Sequence, residues 1–479
     1  MKMHQKGING DDMIPSQNIS DSAIEYVRDG WLLAAPAYED GTLSTRLYDA
    51  GTGLSPDRNG VHTERSYMMC ISSTEKLEFH AYLTKLTNCG YVLDSENTLA
   101  APSKNGFDAQ TNLYRQYRKG NQLLYVYFNE SVGEARIIDD HASVAESEFE
   151  YTFDFDASTG AEIYMYGMKY HPQGINFCDA GGDPDTCNNG SFFIIKQADN
   201  SVILIDGGAQ RQVTDAAVEG LWSFMHTITG KGTDEAITVA CWIHTHPHED
   251  HYALVWGLLE RYHAKIDLQR VMFNFPNPSE VGIGIYEFRG GVAAYYPNVL
   301  FAKCHSGQSI QLGSIVLDVL TTHEDMVSAV TGVTRMTEGN SMSTVIRFTM
   351  PDGTRFLNLG DFTREQQFVL IDGKDANQIA VEGILDSAEL RSDIVEVAHH
   401  GYNMITNTYQ ATGAEHALWS NYQPDAFTGW KKDTADAIKD RLMKRANVSE
   451  GNIYYAGLNT VKLTCQNGNI TVTLSNPVF

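Results

Sequence analysis

The stretch Thr245-His246-Pro247-His248-Glu249-Asp250-His251 places three imidazoles and two carboxylates within six positions. Neutral imidazole and carboxylate are the donors that hold zinc, and they also serve manganese and iron. Surface or capping histidines would be the bland reading, but so crowded a set exceeds what a surface loop or a helix cap requires. His246 and His248 can face one cation while Asp250 and His251 turn toward a second. The chemistry indicated is that of a metal centre, and of two metals rather than one.

Such a cluster needs rigid elements to aim it. The preceding run, Ile237-Thr238-Val239-Ala240-Cys241-Trp242-Ile243, is β-branched and apolar and predicts a buried strand. Tyr252 to Tyr262 follows with apolar positions on one face and no proline, which predicts a helix. The cluster therefore lies on a loop leaving the end of a strand, where open α/β sheets place their sites. Other runs end the same way. Ser201 to Ile205 is an apolar strand closing on Asp206-Gly207-Gly208, and Arg355 to Gly360 closes on Asp361. Ser392 to Ala398 runs into His399-His400-Gly401, and the alternating run Ser314 to Thr322 delivers His323. His305 precedes Gly307 in a turn-like segment and reads as a loop residue without a metal role.

In number and order these motifs resemble those of the metallo-β-lactamase superfamily. Together with Asn340-Ser341-Met342-Ser343, they resemble the branch that includes the soluble hydrolase domain of competence DNA-uptake channel proteins, and the phosphorylcholine esterases. The likeness runs from residue 162 to residue 479. It implies an α/β fold, a metallo-β-lactamase-like αββα sandwich, here preceded by a small α+β domain. It implies two divalent metal ions, zinc first, with manganese or iron as alternatives. One site would take His246, His248 and His323; the other would take Asp250, His251 and one of His399 and His400; Asp361 would bridge them. Asp206 would brace the histidine loop through hydrogen bonds without binding metal. By resemblance to the phosphorylcholine esterases, His400 is the ligand and His399 contacts the developing oxyanion, while Asp250 also orients the attacking hydroxide. Asn340 and Ser341 could line the pocket or simply form a turn. One departure stands out: the uptake branch carries a further His-Pro element where this chain has Ser420-Asn421-Tyr422-Gln423-Pro424-Asp425.

Composition narrows the partner. With 35 Lys+Arg against 60 Asp+Glu, the formal net charge is -25, whereas a protein that tracks a phosphate backbone needs a cationic path. An extended nucleic acid is therefore disfavoured, and a small or modest phosphoester remains open because bound metals bring their own positive charge. Thr434 to Lys444 predicts an amphipathic helix, and with it the basic patches Lys431-Lys432 and Lys439 to Arg445 read as a solvated face. No apolar stretch approaches the roughly 20 residues that span a bilayer, and the polar N-terminus lacks the apolar core of a secretory signal. A cytoplasmic location without a membrane partner is expected. Seven scattered cysteines agree with a reducing compartment. Cys178 and Cys187 are the one close pair and are expected as free thiols, and Cys241 is expected as a small core residue.

Domain boundaries follow from where the motifs are absent. Residues 1–20 read as a mobile tail, 21–150 as a small α+β domain and 151–479 as the hydrolase domain. In the small domain, Ser66 to Ser72 predicts a strand, Glu75 to Thr87 a helix stopped by Asn88-Cys89-Gly90, and Lys119-Gly120-Asn121 a hairpin turn. Its alternating tyrosines read as sheet packing, and the acidic stretch Asp139 to Glu148 as the linker.

Paired cations lower the pKa of water toward about 7, so hydrolysis is the expected reaction. The leading reading is a dinuclear metallo-hydrolase of phosphoesters or phosphodiesters. A lactone, thioester or amide hydrolase on the same centre is the alternative, followed by a non-catalytic binding protein on a relic fold and, more distantly, an iron redox enzyme.

Overall fold

The structure is a computed structural model that describes residues 14–18, 35–36, 38, 42–49, 67–103, 109–140, 144–167, 190–208, 213–274, 285–326, 339–372, 383–403, 405–421, 429–457 and 459–475. The Cys178–Cys187 segment and Tyr422 to Asp425 lie outside these residues.

Apolar runs that the sequence marks as buried strands assemble into two sheets. The first is ordered Leu300–Lys303, Arg270–Phe273, Ile237–His244, Val202–Asp206, Phe192–Lys196, Ala161–Met165, Thr460–Gln466 and Asn469–Ser475, with Ile266–Leu268 also paired to Ile237–His244. The second runs Ser309–Leu312, Ile315–Thr321, Val345–Thr349, Arg355–Asn358, Ile394–Glu396, His416–Trp419 and Ile453–Tyr455. Their inner faces share one core: Ile203, Ile205, Cys241 and Ile243 pack with Leu317, Val319, Phe348, Phe356, Ile394 and Leu418. The alternate residues Val202, Leu204, Val239 and Trp242 turn outward against helices Asp215–Thr229 and Ala253–Tyr262. Burial on both faces explains why these strands read as unbroken apolar runs. On the far side, helices Thr406–Thr412 and Gly429–Lys444 cover Val395, Ala417 and Trp419 through Tyr409, Ile438 and Leu442. The layers are thus αββα.

Each sheet has a parallel half, formed by Val202–Asp206, Ile237–His244, Arg270–Phe273 and Leu300–Lys303 in the first. In the second it is formed by Arg355–Asn358, Ile394–Glu396, His416–Trp419 and Ile453–Tyr455. Asp206, the His246–His251 loop, Asp361, His400 and Ser420 all lie at or just beyond the carboxyl ends of such strands. That is the edge at which α/β sheets build sites.

The preceding unit is an antiparallel sheet of seven strands, ordered Ile14–Asn18, Thr42–Asp49, Tyr67–Ser72, Glu134–Asp140, Gln122–Asn129, Gln110–Lys119 and Val92–Ala101. Helix Lys76–Asn88 buries Phe79, Tyr82 and Leu86 against Ile71, Val126, Phe128 and Ile137. The opposite face, with Met68, Cys70, Tyr114, Tyr125, Tyr127 and Ile138, joins the core outside the second sheet beside Leu320, Met326, Leu370 and Ile384. The alternating tyrosines are packing residues in this layer.

Two segments differ from expectation. Ile14–Asn18, inside the stretch read as a tail, is an edge strand paired with Thr42–Asp49, a position that tolerates Pro15. Asp139 and Asp140, read as linker, are fully buried at the end of strand Glu134–Asp140. Their acidity suggested solvent because a sequence does not display partners: Gln122 Nε2 donates to Asp139 at 2.9 Å and His305 Nε2 lies 3.0 Å from Asp140. Among the described residues, no helix is long and apolar enough to cross a membrane.

Candidate metal centre

The site is built from loops pinned at both ends. Asp206 closes its strand in the left-handed region, φ 60°, and turns its carboxylate onto the next strand's exit. Thr245 N and Oγ1 donate to Asp206 Oδ1, both at 2.9 Å, and His251 Nδ1 donates to Asp206 Oδ2 at 2.7 Å. Leu254 N and Val255 N donate to Gly207 O, so the Asp-Gly-Gly turn also caps the helix after the histidine loop. A Cβ at Gly207 would stand 2.8 Å from that of Val255. With Nδ1 of His251 engaged by Asp206, Nε2 is left to face the site.

His246, His248 and Asp361 offer donor atoms within 4.8 Å of one another, and so do Asp250, His251 and His400. Asp361 stands between the two trios. Its Oδ2 is 3.4 Å from His246 Nε2, and its Oδ1 is 3.2 Å from His251 Nε2 and 3.5 Å from His400 Nε2. Asp250 Oδ2 is 3.2 Å from His400 Nε2. The outer nitrogens of the rings are occupied: Thr245 Oγ1 lies 3.1 Å from His246 Nδ1 and Ser420 Oγ 3.1 Å from His400 Nδ1. The inner lone pairs therefore converge. Asp361 Oδ1 is buried without a hydrogen-bond donor, and no lysine or arginine pairs with Asp361 among the described residues. A donor set of histidine nitrogens and carboxylate oxygens closing on a buried, unpaired carboxylate fits a pair of divalent cations.

The local field is strongly negative. Burial alone would discharge His251, yet Asp361, Asp206 and Asp250 raise its pKa well above the ordinary histidine value. Burial likewise opposes the charge of His400, and Asp361 and Asp250 raise it. Burial dominates at His246, which falls to about 3 and stays neutral. Against burial, the surrounding histidines hold Asp361 well below the carboxylate range.

The paired histidines are separated by backbone geometry that a strand reading could not resolve. The strand stops at Glu396, and both His399 and His400 adopt φ 50°, left-handed and strained for residues with a Cβ. The turn sends His400 into the second trio. His399 stays at the opening, one quarter exposed, with Nε2 3.6 Å from Asp361 Oδ2. Gly401 follows at φ 85°, where a Cβ would enter the Trp419 ring.

His323 is not brought to either trio. Its Nε2 sits 2.6 Å from Asn274 Oδ1, and burial lowers its pKa to about 3. The cause lies in its neighbours. Glu324 clamps His305 Nδ1 at 3.0 Å and Asp325 takes Arg136 Nη1 at 2.7 Å, so the turn His323–Met326 is tied to the N-terminal sheet. His305, read as a loop residue without a metal role, is part of that tie and stands outside both trios. Cys241 is a buried core thiol.

Two supporting residues escaped the sequence reading. Glu396 is buried and accepts from Asn358 Nδ2, Leu359 N and Gly360 N at 2.7–2.9 Å and from Ser191 Oγ at 2.8 Å. Ser191 N in turn donates to Asp250 O, so one carboxylate joins the Asp361 turn to the histidine loop. Ser420 supports His400, in the very stretch noted for lacking a His-Pro element. The available signal was positional: both residues end or follow parallel strands adjacent to those carrying the ligands.

No protein-family model matches the chain, and no curated protein does. Among solved structures, it is similar to the metallo-β-lactamase fold protein YhfI from Bacillus subtilis, with 12% identity, 66% of this chain and 100% of that one covered, and a TM-score of 0.35. It is also similar to Igni18, a metallo hydrolase from the archaeon Ignicoccus hospitalis, at 10% identity, 65% and 98% coverage and a TM-score of 0.32. CmlA, a diiron β-hydroxylase from Streptomyces venezuelae, is similar at 9% identity, 74% and 73% coverage and a TM-score of 0.30. By its two facing sheets, their flanking helices and the motif-bearing edge, the chain has the metallo-β-lactamase-like αββα sandwich that its motifs resemble.

Proposed function

We propose that this protein is a dinuclear metallo-hydrolase that cleaves a phosphoester or phosphodiester of small or modest size. The observation that carries the proposal is the convergence of His246, His248, Asp250, His251 and His400 on Asp361, whose Oδ1 is buried and receives no hydrogen bond. Two divalent cations bound there would supply Lewis acidity and a nucleophile at neutral pH. Asp361 would serve both sites. Asp206 and Ser420 orient His251 and His400 through their outer nitrogens, and Glu396 holds the Asp361 turn against the histidine loop. His399, one quarter exposed with Nε2 3.6 Å from Asp361 Oδ2, would contact an oxygen that gains charge. The net charge of -25 favours a compact substrate over an extended polyanion.

The test is elemental mass spectrometry of untagged protein purified without added metal, followed by hydrolysis of a bis-aryl phosphodiester and an aryl lactone with and without chelator. About two equivalents of zinc or manganese, with chelator-sensitive phosphodiester cleavage, is the expected result. Lactone turnover alone would overturn the bond class. Two equivalents of iron would point to redox chemistry, and a protein that takes up no metal would be a binding protein.

A further inference from the structure

The two trios are unequal. Asp250, His251 and His400 form one without help, whereas His246 and His248 complete theirs only through Asp361. The histidine that the motif order assigns to the poorer site, His323, is held by Asn274. What stands beside His248 is the turn Gly339–Met342. A Cβ added at Gly339 would lie 2.3 Å from His248 Nε2, so the turn's backbone is seated on that ring. The segment is fixed from both sides: Ser343 Oγ accepts from Asp361 N at 3.0 Å, and Thr344 N donates to Thr245 O at 3.0 Å.

Asn340 follows Gly339 and is buried, at 8% exposure. Its Nδ2 lies 3.3 Å from His399 Nε2, while its Oδ1 is buried and has no hydrogen-bond partner. An amide oxygen so placed costs about 1–3 kcal/mol of lost hydration, and buried polar atoms are rarely left in that state without a partner to come. We propose that Asn340 Oδ1 is the third donor of the site formed by His246 and His248, in place of a third histidine. The inference rests on the dinuclear reading above and gives that reading an asymmetry. A neutral carbonyl oxygen makes the first site harder and looser for zinc than a three-histidine site, and relatively better for manganese. The amide nitrogen, Nδ2, lies 3.3 Å from His399 Nε2.

The experiment is competition against a chromophoric chelator, with zinc alone and with manganese alone, on the full-length wild type and on Asn340→Ala and Asn340→Asp, each checked for folding by circular dichroism. The wild type should bind two cations with separable affinities. Asn340→Ala should weaken one of them about 10–100-fold and leave the other unchanged, and Asn340→Asp should restore or tighten the affected site. Folded Asn340→Ala with both affinities intact would overturn the assignment while leaving the dinuclear reading in place. If the alanine variant does not fold, the aspartate variant decides: a first site as tight as the wild type or tighter supports the proposal, and a weakened one overturns it. A wild type that binds no cation overturns both.

Discussion

Two buried clusters of histidine and carboxylate in this protein are organised on opposite principles. At the junction with the N-terminal sheet, carboxylates meet resident cations: Arg136 Nη2 is 2.8 Å from Glu134 and Nη1 2.7 Å from Asp325, Lys303 Nζ is 3.3 Å from Glu324, and His305 sits between Asp140 and Glu324. At the sandwich edge, Asp361 is ringed by His246, His251, His399 and His400, with no lysine or arginine paired to it among the described residues. Clustered histidine and acid therefore do not by themselves mean metal. A cluster that carries its own lysine and arginine is a bolt between layers, and one in which histidines converge on a carboxylate without such a partner has the donor set of a cation site.

That contrast can be broken by substitution. On the dinuclear reading proposed above, Asp361→Ala should empty the site of His246 and His248, weaken the other and bring phosphodiester cleavage to background, because Asp361 completes the first trio and its Oδ1 lies 3.2 Å from His251 Nε2 and 3.5 Å from His400 Nε2. His323→Gln, in the other cluster, should leave the metal content measured by elemental mass spectrometry at the wild-type value. Equal metal loss in the two variants would erase the distinction. Arg136→Met should leave metal content unchanged but lower stability by about 3–5 kcal/mol in urea unfolding, since Glu134 and Asp325 would be buried without their partner. A loss below about 1 kcal/mol would mean that the junction is not a bolt.

The smallest effect is a pH dependence. Burial opposes the charge on His305, but Glu324 and Asp140 outweigh it and lift its pKa to about 9, from 6.5 for an ordinary histidine. A group protonated more readily in the folded state stabilises fully below its unfolded value and loses that contribution as pH rises through the folded one. Stability should therefore fall between pH 6.5 and about 9, by on the order of 3 kcal/mol, and His305→Gln should flatten the slope. An equally steep slope in the variant would place the titration elsewhere.

The order of strands and motif residues was legible because both signals are local. Apolar runs such as Val202–Asp206 and Ile237–His244 mark themselves as strands buried on both faces, and the acids and histidines that close the parallel strands mark one edge. Hairpin Gln110–Lys119 with Gln122–Asn129 and helix Lys76–Asn88 were readable for the same reason. Partnership is not local. Nothing in the run from Ile315 to Met326 reveals that Asp325 would pair with Arg136, 189 residues upstream, that Glu324 would take His305 and Lys303, or that His323 would meet Asn274. Nor does the pair His399-His400 reveal two left-handed residues that send one ring inward and leave the other at the opening. The sequence by itself determined which side chains were available and which strand ends carry them. Only the tertiary structure decided which of them meet, because burial without a partner is costly and each polar group settles on whatever the distant chain brings within reach.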